Sequence, residues 1–131
     1  MTNKRENYRI ELDGEDALEA QLEIPTLAKP VPARVVSLSV GGCGIEVDDP
    51  DFALPRQRRV LVRLSLPGRR EQLSFWAMLR FSRPRDGSSY HGLQFTAGVN
   101  PAADADREEA LRRFVMERQR VELEKRARRA G

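Results

Sequence analysis

The chain has 131 residues, 40% of them hydrophobic and 33% charged, which is a composition typical of one globular domain spanning residues 1–131. With 23 Lys and Arg against 20 Asp and Glu, the net charge is only +3, so a uniformly basic nucleic-acid-binding surface is not indicated. A single cysteine excludes a disulfide framework, and no apolar run approaches the ~20 residues of a membrane span, so we predict a cytoplasmic protein without membrane insertion.

The N-terminal segment, residues 1–12, contains few apolar residues and is predicted to be a flexible arm. It carries Lys4 and, directly after it, the pattern R-x-x-x-R formed by Arg5 and Arg9. A guanidinium group is a planar fork that can bond a phosphate or the O6 and N7 edge of guanine with two hydrogen bonds. Residues four apart point to the same side of an extended segment, and one helical turn also brings them together. The arm is therefore suited to an anionic ligand, but the same spacing is expected by chance in a chain with 23 Lys and Arg, and a charged N-terminus is also typical of a solvated tail.

From residue 17 to about residue 97, apolar and polar residues alternate with the period of two that is typical of half-buried strands. The segments predicted as strands are 17–24, 31–39, 43–47, 60–66, 73–82 and 88–95. In the fifth of them, Phe75, Ala77, Leu79 and Phe81 share one face of the strand, and the intervening residues share the other. Six short antiparallel strands predict a small β-barrel over residues 16–97, because closure removes exposed strand edges.

Small polar residues and glycines join the second and third predicted strands in the pattern S-x-S-x-x-G, formed by Ser37, Ser39 and Gly42. Their size leaves room for a flat purine to lie against the backbone, and Ser39 supplies a hydroxyl group. Ser and Gly also dominate ordinary turns, so the pattern taken alone is equally typical of a plain hairpin connection.

A C-terminal helix is predicted over residues 101–129. Its start is either at Asn100-Pro101 or at a capping box formed by Asp106 and Glu109. Leu111, Phe114, Val115 and Val121 form an apolar stripe that can dock on the barrel. Beyond Val121 the stripe ends, and this part of the helix is either a solvated end or a partner-binding surface.

The order of arm, barrel and helix, together with the two motifs, resembles the PilZ domain family, whose signature is R-x-x-x-R followed by D/N-x-S-x-x-G. The resemblance implies a mainly β fold, namely a six-stranded antiparallel split barrel with one C-terminal helix. It also implies a domain that binds the bacterial second messenger cyclic di-GMP. Arg5 and Arg9 would grip the phosphates and guanine edges, while Ser39 and the backbone near Gly42 would hold a guanine on the outer face. Lys4 would support a second ligand molecule. Ser37 stands where the family has Asp or Asn.

The resemblance implies a receptor without a cofactor, which changes conformation on binding cyclic di-GMP and signals to a protein partner. The alternative is a PilZ-like adaptor that no longer binds the ligand and acts through protein contacts, as the serine at position 37 allows. A third hypothesis, a small-barrel nucleic-acid binder, is disfavoured by the nearly balanced charge and by the 6% content of aromatic residues. An enzyme is not predicted, because no nucleophile–base or paired-carboxylate constellation is present.

Overall fold

The computed structural model describes residues 9–12 and 14–130 of the chain. It contains seven strands within those ranges, a short 3-10 turn (Gly14–Asp16) and one helix, α1 (Pro101–Ala130). The strands are β1 (Ile10–Glu11), β2 (Leu18–Glu23), β3 (Val31–Ser39), β4 (Gly42–Val47), β5 (Val60–Leu64), β6 (Leu73–Arg85) and β7 (Ser88–Thr96).

The strands form a closed barrel in the order β3-β2-β5-β6-β7-β4, and the pairing of β4 with β3 completes the circle. All pairings are antiparallel. The predicted six-stranded antiparallel barrel with one C-terminal helix is thereby confirmed. The extra strand β1 pairs with Leu38 and Ser37 of β3, in line with β2, which pairs with the preceding part of β3. It belongs to the predicted arm, so residues 10–12 of that arm lie on the barrel, with Ile10 and Leu12 buried.

The core fills the barrel interior with the inward residues of each strand, as the period-two pattern predicts. Two residues of α1, Leu111 and Val115, close one side of it. The fully buried hydrophobic side chains include Leu22, Val35, Leu38, Cys43, Ile45, Val62, Leu64, Ala77 and Leu111.

Strand β6 departs from the prediction in its second half. The pairing with β7 shifts by one residue between Leu79 and Phe81, which is a β-bulge at Arg80. An extra residue reverses the inside–outside alternation beyond it. The prediction that Phe81 shares a face with Phe75 and Ala77 was therefore wrong: Phe81 lies on the outer face and is 40% exposed, whereas Phe75 and Ala77 are buried.

Helix α1 begins at Pro101, the first of the two predicted starts. The Asn100 side-chain oxygen accepts hydrogen bonds from the backbone N–H groups of Ala102 (3.1 Å) and Ala103 (3.3 Å), so Asn100 is the N-cap. Asp106, the alternative cap, lies inside the helix. Residues 122–129 are exposed throughout. In the part of the chain that the structure covers, no helix combines the length and apolar character needed to span a bilayer.

Candidate functional site

The second motif lies on the outer face of the barrel, where strands β3, β4, β7 and β6 run side by side. One row across these strands consists of Ser37, Gly44, Gly92 and Phe81, as the strand registers show. Two glycines in one row leave this strip of the outer face without side chains of its own. Neighbouring side chains cover it instead.

Arg9 reaches this row because β1 pairs with the end of β3, in the register Glu11 opposite Ser37. An Nη atom of Arg9 donates a hydrogen bond to the Ser37 hydroxyl oxygen at 2.7 Å. Arg9 is an exposed residue, whereas Ser37 is only 2% exposed. A residue of the first motif and a residue of the second are thus in direct contact, although 28 positions separate them.

Ser39 and Gly42 occupy the tight connection between β3 and β4. The Ser39 hydroxyl donates a hydrogen bond to the Gly42 carbonyl oxygen at 3.3 Å, which holds the connection closed. A Cβ atom on Gly42 would overlap the Leu93 carbonyl oxygen, so only glycine lets β7 approach this closely. The adjoining cleft of about 290 Å³ is lined by Arg9, Ser39, Gly41, Gly42, Arg80, Leu93 and Gln94.

The structure therefore brings together four of the six residues predicted for the site, namely Arg9, Ser37, Ser39 and Gly42. Lys4 and Arg5 lie outside the described residues. The roles of all six in ligand binding remain predictions.

The principal residue that the sequence did not single out is Tyr90. Its hydroxyl lies above Gly44, where a Cβ atom would overlap it, and its oxygen is 3.4 Å from the Ser37 hydroxyl oxygen. The alternation in β7 places Tyr90 on the outer face, since its neighbour His91 is fully buried. That signal is present in the sequence, but the approach of Tyr90 to Ser37 depends on the pairing of β4 between their strands.

Arginines and aromatic rings surround Tyr90. The guanidinium carbon of Arg85 lies 4.6 Å from the centroid of the Tyr90 ring, and that of Arg83 lies 4.9 Å from the Phe81 ring. The two rings are 5.8 Å apart between centroids. Such cation–π contacts stabilise an exposed surface by about 0.5–1 kcal/mol each. A second cleft, of about 460 Å³, is bordered by these four side chains and by Arg34 and Glu46.

Arg34 is engaged in a carboxylate network and is not a free cation of this face. Its guanidinium donates to Glu46 at 2.5 Å and to the two carboxylate oxygens of Asp48 at 2.9 and 2.7 Å. The hydrogen bonds to Asp48 and Glu46 raise the pKa of Arg34, and the bond from Arg34 lowers the pKa of Asp48. Among the described residues, Arg9 and Arg80, which line the cleft beside Ser39 and Gly42, and Arg83, which stacks on Phe81, are exposed cations on this face.

The only histidine and the only cysteine are inside the barrel and do not contribute to the outer face. Burial raises the pKa of Cys43 to about 12, so its thiol is protonated near neutral pH and is not a nucleophile. The imidazole of His91 lies between the hydroxyl groups of Ser82 (2.7 Å) and Ser89 (2.8 Å). Within residues 9–12 and 14–130, no cluster of three or more His, Cys, Asp or Glu side chains is arranged to hold a metal ion.

Comparison with known proteins relates the chain to one protein family. A family model described as "PilZ domain" matches residues 3–117. A search among curated proteins finds no match.

Among solved structures, the chain is similar to Escherichia coli YcgR in complex with c-di-GMP, with 20% identity, a TM-score of 0.69 and coverage of 99% of this chain and 52% of that one. The Bacillus subtilis inhibitor of motility MotI/DgrA gives 17% identity, a TM-score of 0.66 and coverage of 90% and 52%. The separate PilZ domain of E. coli YcgR with c-di-GMP gives 19% identity, a TM-score of 0.66 and coverage of 90% and 96%. The chain thus spans about half the length of the first two proteins.

Proposed function

Because the chain belongs to the PilZ domain family, we propose that it is a receptor for cyclic di-GMP and not an enzyme. The observation that carries the proposal is the contact between Arg9 and Ser37, which joins the two motifs on one exposed face beside the Ser39–Gly42 connection. Two similar structures, YcgR and its separate PilZ domain, hold this ligand.

In the proposed site, charged side chains and the shape of the cleft make separate contributions to ligand binding. Arg5 and Arg9 bind phosphates and guanine edges, since a guanidinium group matches both with paired hydrogen bonds. The cleft beside Ser39 and Gly42 accommodates a flat base close to the backbone. Lys4 contributes a further cation, which supports a second ligand molecule. No cofactor is required, because binding involves no bond making or breaking.

Signalling follows, in this proposal, from ordering of the arm. A ligand that bridges residues 4–9 to the barrel favours the closed arrangement by its differential affinity for the two states. A cytoplasmic protein partner then recognises the combined surface of arm, ligand and barrel. The long exposed end of α1 supports such a partner contact, since residues 122–129 are not covered by the barrel.

Titration calorimetry with cyclic di-GMP tests the proposal on the wild-type chain and on Arg9→Ala. A charged hydrogen bond contributes about 1.5–3 kcal/mol, so we expect Arg9→Ala to weaken binding by roughly 10- to 150-fold. The matched control is Arg58→Ala, which removes an exposed arginine from the loop before β5. Equal affinities of wild type and Arg9→Ala would remove Arg9 from the site.

The alternative function is an adaptor of PilZ fold that does not bind the ligand. The observation in its favour is that Ser37 replaces Asp or Asn and is almost completely buried. A folded wild-type chain that shows no binding at high micromolar cyclic di-GMP would support the adaptor and exclude the receptor.

A further inference from the structure

We propose that Tyr90 is a ligand-contacting residue of this site, whose hydroxyl makes the polar contact that the family motif assigns to the Asp or Asn at position 37. The inference rests on the proposed function. It concerns how this particular chain binds a guanine despite its serine, and it adds a residue that neither motif includes.

Ser37 is poorly placed to contact a ligand itself. Its hydroxyl is one or two bonds shorter than an Asp or Asn side chain, and only 2% of the residue is exposed. One lone pair of its oxygen is occupied by the Arg9 hydrogen bond at 2.7 Å. A ligand that approaches the outer face therefore meets the side chains above Ser37 before it meets Ser37.

The side chain above Ser37 is that of Tyr90. Gly44 lies opposite Ser37, whereas Tyr90 lies opposite Glu46, two residues further along β4. The missing Cβ of Gly44 leaves the space that the Tyr90 hydroxyl fills. The distance of 3.4 Å between the Tyr90 and Ser37 oxygens exceeds the usual 2.7–2.8 Å of a hydroxyl–hydroxyl bond. The Tyr90 hydroxyl is thus held only weakly by Ser37 and is free to bond a ligand.

The ring of Tyr90 is held by its neighbours, and the ring fixes the position of the hydroxyl oxygen bonded to it. Arg85 stacks on it at 4.6 Å, Phe81 packs beside it at 5.8 Å between centroids, and the residue is half-buried. Fixing the ring lowers the entropy that would be lost when a ligand bonds the hydroxyl. The geometry therefore presents a preorganised polar atom at the edge of the strip formed by Gly44 and Gly92.

The chemistry of a phenol hydroxyl fits this role. A carboxylate or amide oxygen at position 37 would accept hydrogen bonds from guanine N1–H and N2–H, and the lone pairs of the Tyr90 oxygen can accept the same protons. The hydroxyl can in turn donate its own proton to the Ser37 oxygen. Ser37 and Tyr90 together place an acceptor oxygen where an Asp or Asn side chain at position 37 would place one.

A double-mutant cycle tests the inference by titration calorimetry with cyclic di-GMP on the wild-type chain, Tyr90→Phe, Ser37→Asp and the double variant. Tyr90→Phe removes one oxygen atom and keeps the ring and its stacking. We expect it to weaken binding by about 3- to 10-fold, the value of one neutral hydrogen bond. In the Ser37→Asp background, where the carboxylate makes the contact, the same change should alter the affinity less than twofold.

Two results would overturn the inference while leaving the receptor function intact: Tyr90→Phe binding as tightly as wild type, or an equal loss in both backgrounds. Binding by Ser37→Asp but not by wild type would overturn it as well, because Tyr90 would then not replace the missing acceptor. If no variant binds, the proposed function itself fails. Ser65→Ala, which removes a hydroxyl far from the site, is the control, and thermal melting confirms that each variant is folded.

Discussion

At the scale of single residues, the two glycines of β4 differ in what surrounds them. A Cβ atom on Gly42 would overlap backbone, the Leu93 carbonyl oxygen, which cannot move without opening the pairing of β4 with β7. A Cβ atom on Gly44 would overlap side-chain atoms, namely the hydroxyl groups of Tyr90 and Ser37 and the adjoining ring carbon of Tyr90. Glycine is thus required at one position by the fold and at the other by the arrangement of the candidate site.

We predict that Gly42→Ala lowers the free energy of unfolding by about 1–3 kcal/mol or more, the usual cost of overpacking. Gly44→Ala should cost less, because the atoms that it displaces belong to side chains and not to the backbone, yet it should weaken cyclic di-GMP binding at least as much as Tyr90→Phe does. Urea denaturation and calorimetry measure the two effects. A Gly44→Ala variant that is the less stable of the two would contradict this reading of the contacts.

Residues of the candidate site could be predicted from the sequence only where a local pattern determines their position. The spacing of Arg9, Ser39 and Gly42 is readable because each lies in a short motif. Tyr90 carries no motif, and its position above Ser37 results from two strand pairings, β3 with β4 and β4 with β7. Such long-range registers depend on the hydrophobic packing of the whole barrel, which a local pattern does not encode.

At the scale of elements, helix α1 has two halves with different surroundings. Leu111 and Val115 are buried against the barrel, whereas Leu123 is 63% exposed. The second half is held mainly by pairs within the helix, such as Arg120 with Glu124 at 2.6 Å. Exposed pairs of this kind contribute only about 0.3–0.5 kcal/mol each. Docking of α1 therefore depends on its first half.

The same substitution at two positions tests this division of α1. We expect Leu111→Ala to lower the free energy of unfolding by about 2–5 kcal/mol, since it leaves a cavity in the core. Leu123→Ala should change it by less than about 0.5 kcal/mol, because the side chain is largely in water. Chemical denaturation monitored by Trp76 fluorescence compares them. Similar losses for the two variants would mean that the second half of the helix also packs on the protein.

The six barrel strands and the helix were predictable from the sequence, whereas β1, which lies in the predicted flexible arm, and the bulge in β6 were not. The strands and the helix follow from period and capping, but the bulge at Arg80 does not, because nothing in the alternation of residues 73–82 marks an extra residue there. Its consequence is functional: it turns Phe81 outward, beside Tyr90. A bulge on an edge of a binding surface is a common way to redirect one side chain.

At the scale of the whole molecule, closure of the barrel isolates His91 from water. The imidazole is fully buried between Ser82 and Ser89, with Phe52 packed edge-on at 5.4 Å. Burial lowers the pKa of His91 below its ordinary value of 6.5. Because burial disfavours the protonated imidazole in the folded chain, pH and stability are linked through this residue.

The sign of the linkage follows from which state binds the proton first. In the unfolded chain His91 takes up a proton as the pH falls below 6.5, whereas the folded chain keeps it neutral to a lower pH. The contribution of His91 to the free energy of unfolding is therefore fully present above pH 6.5. It declines as the pH falls below that value, with a limiting slope of about 1.4 kcal/mol per pH unit. We predict that the free energy of unfolding falls between pH 7 and pH 5.5, measured by urea denaturation. His91→Gln, which keeps hydrogen-bonding groups but cannot be protonated, should flatten the profile over this range. Because His91 is the only histidine of the chain, a wild-type profile that is already flat would show that the imidazole reaches water without global unfolding.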